Sequence, residues 1–424
     1  MKEMFMESQK PFIPPFRVFY PSSQYADNFM FFAWDIFLNT QRWAKRKSIS
    51  GPTVAKMIQP DSPEEARVTF EAYKRTPGLF LHTAHPQVLF AENHFPDQGG
   101  FSRNEIIALV DLQYFFPPGQ KNHGSDQKIF PSEATFPKKA LNRKRLREAL
   151  QADVEQVLML YSEPENRLNR LLNAHIPEAG QLIKNCNYYP GYQYNLYGFS
   201  GKRFLEEFEV YFREAILTVG DGNHRTLAAK MMSVEHPEIP LAHWLMVSLV
   251  NLHDPNFRTA PIHRIVQNQS TDFLSNFRPF VREEACENFS DLMTRFEKTD
   301  DLCTMAVTDG KYFRLLFPKP SFLDELKSKI DPVVPVHVLN AVLEPLAIDR
   351  NNADIDTEIE IEDAYQKAVE EDGTYAFFLK PIPKSILEEG FNKHLLFPEK
   401  SFSIIGKSPG GGPMWFFGDE RTRE

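Results

Sequence analysis

Cysteine is scarce in this sequence, with three residues among 424. Cys186, Cys286 and Cys303 are too few and too far apart for a disulfide framework or for a zinc site built on thiolates. Such sparse thiol usage is typical of a reducing compartment. We therefore expect neither a structural disulfide nor a cysteine-based metal centre.

Long apolar runs and an excess of positive charge are also missing. The longest largely apolar run, residues 243–252, is far shorter than the roughly 20 residues of a membrane-spanning helix. The N-terminus carries Glu3 and Glu7 where a signal peptide needs continuous apolar residues. The net charge of -9 argues against broad phosphate neutralisation on nucleic acid, although a local basic pocket is compatible with it. We expect a soluble, cytoplasmic protein with neither a membrane nor a nucleic acid as partner.

Helical and strand patterns mix along the chain, without internal repeats, which predicts an α+β protein with a mixed sheet. Asp309-Gly310 between two apolar runs predicts a hairpin. Residues 354–363 alternate acids with Ile, a pattern of an exposed strand or a charged solvent face, and residues 117–127, with Lys121 and His123, predict a loop. Strands are predicted over 79–83, 87–91, 105–115, 156–161, 215–219, 303–307, 311–317 and 375–379, and helices over 64–74, 138–152, 226–232 and 384–391.

Residues 219–225 carry the clearest chemistry. A predicted strand ends at Gly220, turns through Asp221 and Gly222, and leads into a predicted helix. Two glycines permit a sharp turn close to a ligand, and the unpaired N–H groups of a helix N-terminus attract phosphate. Arg225 can bind phosphate oxygens with two N–H groups. In the alternative interpretation, which the pattern alone leaves open, Asp221 caps the helix and Arg225 is a surface charge.

Two further segments carry similar residue types. His263-Arg264 is a second His-Arg pair after an apolar strand, and Lys400-Ser401 precedes the glycines at 410–412. Taken alone, each segment is typical of an ordinary loop. Their significance depends on whether the fold brings them to residues 219–225.

Together these segments resemble a known family. Asp221-Gly222-Asn223-His224-Arg225 is similar to the Asp-Gly-His-His-Arg signature of ParB-related free-serine kinases and of longer bacterial relatives. Those relatives carry a later Pro-Thr-His-Arg, similar to Pro261-Ile262-His263-Arg264, and a final Pro-x-Lys-Ser-Thr, similar to Pro398-Glu399-Lys400-Ser401-Phe402. Their His-Glu-x-Thr, which precedes a basic helix, is similar to Ser132-Glu133-Ala134-Thr135. The four motifs occur here in the family's order.

The resemblance implies a kinase that uses ATP or ADP with Mg²⁺ and has free L-serine as its leading acceptor. Glu133 would be the base that deprotonates the acceptor hydroxyl, and Asp221 a catalytic residue and candidate Mg²⁺ ligand. We further expect Glu133, Asp221, Arg225, His263 and Lys400 to converge on one pocket. The remaining implied contacts are to nucleotide phosphates (Gly220, Gly222, Asn223, His224, Arg225) and to substrate or transferred phosphate (His263, Arg264, Lys400, Ser401).

The resemblance also implies a ParB/sulfiredoxin-like core within the α+β, mixed-sheet composite. The expected division is an N-terminal α/β lobe (1–116), a ParB-like nucleotide-binding core (117–270) and a C-terminal α+β lobe that completes the site (271–424).

The chain departs from the family pattern at Ser132, Asn223, Ile262 and Phe402. The charged groups are kept, and the lost groups are mostly hydroxyl and imidazole donors that tune substrate choice. A divergent acceptor, a nucleotide-binding regulatory protein of the ParB kind and an inactive relative therefore stand as alternatives, and the donor is left open among ATP, ADP and CTP.

Overall fold

The structure is a computed structural model that describes residues 12–31, 47–96, 100–117, 127–135, 137–189, 191–239, 241–270, 272–348 and 354–422. Within these ranges, no helix combines the length and the apolar character needed to cross a membrane.

The described strands are short, and most are buried. In chain order they are β1 (Phe19–Pro21), β2 (Phe80–His82), β3 (Val88–Phe95), β4 (Phe101–Asp111), β5 (Ile129–Pro131), β6 (Val157–Tyr161), β7 (Gly180–Tyr189), β8 (Tyr192–Phe199), β9 (Leu217–Asp221), β10 (Trp244–Asn251), β11 (Thr259–Ala260), β12 (His263–Val266), β13 (Val281–Cys286), β14 (Met305–Thr308), β15 (Phe313–Pro318), β16 (Ile355–Glu358), β17 (Tyr375–Phe378) and β18 (Ser403–Ile404).

The described α-helices are interspersed among these strands. They are α1 (Ala26–Phe29), α2 (Ala55–Ile58), α3 (Pro63–Lys74), α4 (Pro137–Leu150), α5 (Arg167–His175), α6 (Lys202–Phe212), α7 (Asn223–Glu235), α8 (Phe289–Glu297), α9 (Pro320–Lys327), α10 (Pro335–Leu343), α11 (Ile361–Glu370) and α12 (Lys384–Asn392).

The larger sheet has eight strands in the order β5-β9-β6-β10-β4-β3-β8-β7. It is mixed, because β5 runs parallel to β9 and β6 runs parallel to β10, whereas the other neighbouring pairs are antiparallel. Along β4, successive side chains enter cores on opposite faces, with Ile106 and Ala108 on one side and Ile107 and Leu109 on the other. Alternation of this kind explains why β4 reads as a continuous apolar run.

The second sheet has six strands in the order β13-β15-β14-β17-β12-β16, and every neighbouring pair is antiparallel. The predicted hairpin at Asp309-Gly310 joins β14 to β15, with Thr308 opposite Phe313. Gly310 has a φ of 83°, which glycine adopts without strain. Two further pairs, β1-β2 and β11-β18, form small ribbons.

A separate hydrophobic cluster packs the C-terminal segment against the larger sheet. It joins Leu158 and Leu160 of β6 to Phe397, Phe402 and Ile404. The segment around residue 400 is therefore packed against β6, and Ile404 lies beside Gly220 of β9 at the predicted site.

The α+β class with a mixed sheet, predicted from the sequence, is confirmed. The four predicted helices correspond to α3, α4, α7 and α12, with shifted ends. Residues 354–363 give only a short edge strand, β16, before α11 begins. Residues 118–126, which include Lys121 and His123 of the predicted loop, lie outside the described residues.

Both sheets join residues from either side of the expected lobe boundaries. In the eight-stranded sheet β4 pairs with β10 across the boundary at 116/117, and in the six-stranded sheet β12 pairs with β17 across 270/271. Hydrogen bonding, and not order along the chain, decides which strands are neighbours, so the three lobes share their sheets.

Candidate functional site

A cavity of about 820 Å³ opens where β9 meets α7, and its lining is rich in charge. Six cationic and six acidic side chains line it, so the charges of the lining balance in a protein whose net charge is -9. The cations are Lys139, Arg143, Arg145, Arg225, Lys400 and Lys407, and the acids are Asp61, Glu133, Glu155, Asp221, Glu358 and Glu399.

The turn between β9 and α7 forms one wall of this cavity. Gly222 has a φ of 101°, and a Cβ added there would lie 3.1 Å from both the Arg225 guanidinium and Val157. Gly222 is also the N-cap of α7 and provides no side-chain cap for the helix. The positive end of a 13-residue helix therefore borders the cavity through Gly222, Asn223 and His224.

Asp221 and Arg225 belong to a chain of alternating charges. Lys407 Nζ donates to Asp221 Oδ1 at 2.8 Å, and Arg225 Nη2 donates to Asp221 Oδ2 at 2.9 Å. The other end of the guanidinium lies 2.9 Å from Glu155 and donates to the Gln156 carbonyl at 3.0 Å. Neither half of the alternative interpretation holds, because the helix cap is Gly222 and Arg225 is largely enclosed.

These contacts set the protonation state of Asp221. Burial alone would raise its pKa, but the charges of Lys407 and Arg225 hold the pKa well below its ordinary value. Asp221 is therefore ionised over the physiological pH range.

Glu133 also lines the cavity and is held by backbone donors. Lys400 N donates to its Oε2 at 3.0 Å, and Ser401 N donates to its Oε1 at 3.1 Å. Burial raises the pKa of Glu133 to about 6, against the charge of Lys400 and the two backbone hydrogen bonds, which lower it. The carboxylate therefore changes protonation state close to neutral pH, as a general base does.

The backbone conformation and the backbone hydrogen bonds of Lys400 fix the position of this residue. It adopts a left-handed φ of 62°, and its carbonyl accepts a hydrogen bond from Arg264 Nη2 at 2.9 Å. Arg264 is buried and also donates to the carbonyls of Glu399 and Ile262. The Ser401 hydroxyl donates to the Pro398 carbonyl at 2.7 Å. Of these residues Lys400 lines the cavity, whereas Arg264 and Ser401 shape the loop that carries it.

Two positions that depart from the resembled family contact each other. Asn223 Oδ1 accepts from Ser132 N at 3.1 Å, and Asn223 Nδ2 donates to Ser132 Oγ at 3.2 Å. Both residues are buried, and together they fasten the start of α7 to the segment that carries Glu133. The two hydrogen bonds therefore join two elements of the site.

The two predicted histidines have different surroundings. His224 lines the cavity, and burial lowers its pKa to about 4, so the imidazole is neutral at pH 7. His263 is buried in the six-stranded sheet, where its Nδ1 accepts from Leu379 N at 3.2 Å and its ring meets Phe378 edge-on. Four of the five residues expected to converge, Glu133, Asp221, Arg225 and Lys400, line the cavity, but His263 does not.

Several lining residues were not predicted as site residues. Lys139 and Arg143 project from α4 with helical spacing, and Lys139 Nζ lies 2.9 Å from Glu399. The basic pattern of residues 138–152 was the available signal for them. Glu155 and Lys407 carry no comparable signal, because each is a single charge in a segment without periodicity.

The expected Mg²⁺ site at Asp221 can be tested against these contacts. Mg²⁺ needs oxygen ligands at about 2.0–2.1 Å in near-octahedral geometry. Both oxygens of Asp221 instead face nitrogen cations, so Asp221 does not fit a resident Mg²⁺ in this arrangement. Among the described residues, the only group of three metal-type ligands is Glu148, Glu235 and His236, outside this cavity and bonded to Lys144.

Comparison with known proteins gives a family and several remote structures. The model of the family described as "Protein of unknown function (DUF1015)" matches residues 13–342. No curated protein matches the sequence.

Three solved structures illustrate the remote matches. A conserved hypothetical protein from Pyrococcus furiosus is 10% identical, with a TM-score of 0.38 and coverage of 70% of this chain and 90% of that one. SbnI with a C-terminal truncation, from Staphylococcus aureus, is 11% identical, with a TM-score of 0.38 and coverage of 72% and 85%. A free serine kinase in complex with AMP is 11% identical, with a TM-score of 0.37 and coverage of 70% and 87%.

Proposed function

The chain belongs to the family described as "Protein of unknown function (DUF1015)", and we propose that it is a nucleotide-dependent phosphotransferase acting on the hydroxyl of a small molecule, with free L-serine the leading acceptor. The observation that carries this proposal is one cavity that combines an uncapped helix N-terminus, the cations Lys400 and Lys407, and a carboxylate, Glu133, with a pKa of about 6. The first two features suit a phosphate chain, and the third suits a base.

Transfer would proceed by attack of the acceptor oxygen on the terminal phosphorus of ATP or ADP. The bond from phosphorus to the bridging oxygen breaks, its electron pair stays with the departing nucleotide, and Glu133 takes the hydroxyl proton. Such reactions depend on positioning and on neutralising charge more than on covalent help.

The residues of the cavity divide these tasks. The first turn of α7, with Gly222 and His224, would receive phosphate oxygens through backbone N–H groups, and Lys400 would neutralise charge beside Glu133. Arg225 supports the turn through its bonds to Asp221 and Glu155, so its contribution to nucleotide binding is largely indirect. No step is assigned to Mg²⁺, because Asp221 as arranged does not fit it.

The test is a screen of the purified chain with ATP, ADP and CTP against free amino acids, with mass detection of phosphorylated products. We expect product with an adenine nucleotide and a hydroxyl amino acid, L-serine first. A chain that binds nucleotide and phosphorylates none of these acceptors would contradict the proposed acceptor class.

A nucleotide-binding regulatory protein of the ParB kind is the second candidate. The hydrogen bonds on Glu133 favour it, since a carboxylate that accepts from Lys400 N and Ser401 N already serves to hold the loop. A carboxylate has about four lone-pair positions, however, so these two bonds leave capacity for a substrate hydroxyl. Nucleotide binding that changes protease sensitivity without any phosphorylated product would support the regulatory candidate.

A further inference from the structure

We propose, building on the proposed function, that Lys407 contacts the phosphate chain of the nucleotide and supplies at Asp221 the positive charge that the family resemblance assigns to a metal ion. Lys407 was not among the residues that the sequence motifs singled out. Its role follows from where its ammonium group lies and from how its segment is held.

The ammonium group of Lys407 is enclosed in the cavity and bonded to Asp221. Lys407 lines the cavity, is only 8% exposed, and donates to Asp221 Oδ1 at 2.8 Å. A buried ammonium is costly unless it is paired, and an ordinary surface lysine avoids that cost by extending into water. This side chain instead lies beside the first turn of α7, where phosphate is expected.

Side chains of β3 and β4 form hydrogen bonds with the residues on both sides of Lys407. Arg103 of β4 donates to the carbonyls of Ile405, at 2.7 Å, and of Gly406, and it forms an ion pair with Glu105 at 2.6 Å. The Ser408 hydroxyl donates to Glu105, and Asn93 Nδ2 donates to Ser408 Oγ at 3.1 Å.

Arg103 and Glu105 are each 1% exposed, so this network is removed from solvent. Arg103 Nε and Asn93 Oδ1 have no hydrogen-bond partner, but the ion pair and the other hydrogen bonds of the network restrict how these side chains can be arranged. Its bonds to the chain beside Lys407 fix the direction from which that side chain enters the cavity. Arg103, Glu105 and Ser408 are thus positioning residues for Lys407.

The proposed phosphate contact requires only the N–H donors of the Lys407 ammonium group. With three N–H bonds, Lys407 can keep Asp221 as a partner while it donates to a phosphate oxygen. During transfer it would offset negative charge on the phosphoryl oxygens, while Glu133 takes the acceptor proton and the departing nucleotide keeps the electron pair of the broken P–O bond. Because this charge belongs to the chain, part of the nucleotide affinity does not depend on a metal.

The test compares Lys407→Met, which keeps length and loses charge, with Lys407→Arg, which keeps charge. Lys311→Met is the matched control, since Lys311 is 73% exposed in its side chain and pairs with Asp372 away from the cavity. ATP and ADP are titrated by calorimetry in EDTA and then in Mg²⁺, and melting temperatures verify that each variant is folded.

We expect wild type to bind nucleotide in EDTA and Lys407→Met to bind about 10- to 100-fold more weakly, the usual effect of losing a charge-assisted hydrogen bond. Lys407→Arg should recover most of the affinity, and Lys311→Met should match wild type. Wild-type affinity in folded Lys407→Met, or wild-type binding that requires Mg²⁺, would overturn the inference. Loss of affinity in Lys407→Met alongside a wild type that forms no phosphorylated product would instead refute only the proposed transfer.

The positioning network has its own readout. Ser408→Ala should weaken nucleotide binding about threefold, and the double variant with Lys407→Met should bind no more weakly than Lys407→Met alone. Additive losses of affinity would show that the network affects binding independently of Lys407, and a lowered melting temperature without a change in affinity would show that it serves stability only.

Discussion

The two walls of the cavity are built in different ways. The helix wall, residues 220–225, begins as a local turn, with Gly222 at a φ of 101° and Arg225 bonded to Asp221 one helical turn away, and distant residues such as Glu155 and Ser132 then bond to it. The loop wall, residues 397–408, is held by side chains more than 130 residues distant, as the Arg264 contact at Lys400 illustrates. The comparison teaches that tertiary contacts hold both walls, but that only the helix wall also has a turn set by its own sequence.

The sharpest test of the loop wall removes the proton acceptor that it holds. Glu133→Gln should lower the single-turnover rate by about 10²–10⁴-fold, because an amide cannot take the acceptor proton. Nucleotide affinity should survive, since the cations of the cavity remain. Glu165→Gln, with a 69% exposed side chain, is the matched control. If Glu133→Gln keeps the wild-type rate and loses only melting temperature, Glu133 is a tie for the loop and not the base.

Arg264→Met should show how far the loop wall depends on a distant residue. It leaves the buried carbonyls of Ile262, Glu399 and Lys400 without their donor, which we expect to cost about 2–3 kcal/mol of unfolding free energy. Amide exchange should become faster in residues 397–401, while the start of α7 is unaffected. Arg278→Met, 74% exposed in its side chain, serves as control. Equal loss of protection at both walls would mean that they are not held independently.

Gly222→Ala tests the helix wall. A Cβ at a φ of 101° is strained and meets the Arg225 guanidinium, so we expect a loss of about 1–2 kcal/mol in denaturant unfolding. Gly51→Ala is the control, because a Cβ at Gly51 has a nearest neighbour 4.0 Å away and no left-handed φ. Wild-type stability in Gly222→Ala would show that the turn adapts without this glycine.

The mildest test changes only pH. Because burial raises the pKa of Glu133 to about 6, the base is mostly ionised at pH 7, and the rate should fall about fourfold towards pH 5.5. The same raised pKa makes ionisation oppose folding, so the free energy of unfolding should decrease as pH rises from about 4.5 to about 6. Glu133→Gln should lack both effects. If the rate of that variant still falls about fourfold towards pH 5.5, a group other than Glu133 causes the fall.

The local sequence pattern predicted the helices and strands that have strong hydrophobic periodicity or clear capping and turn residues. The helix ending at Lys74 begins where Ser62 accepts a hydrogen bond from Glu65 N and Pro63 takes the first position. The β7-β8 hairpin was not predicted, because its register shifts repeatedly and interrupts the two-residue alternation that a strand shows in sequence.

Within the site, the residues from Asp221 to Arg225 are contiguous in sequence and so lie together at one turn, whereas the surroundings of isolated residues depend on the tertiary structure. His263, Arg264 and Ser401 were expected to contact ligand, and the structure gives each of them partners in the protein. Lys407 was not predicted, since one lysine ahead of a glycine-rich stretch carries no periodic signal.

The sequence by itself determined the class of the fold and the glycine turn at the start of α7, because hydrophobic periodicity, helix capping and glycine conformations act over a few neighbouring residues. Only the tertiary structure decided which charges share the cavity. It brings Lys407 to Asp221 and Glu133 to the backbone of Lys400, and it bonds Arg264 to the carbonyls of the loop at residues 399 and 400. The physical reason is that an ion pair or a buried hydrogen bond depends on distances in space, which the packing of two sheets and a C-terminal segment sets after the local elements have formed.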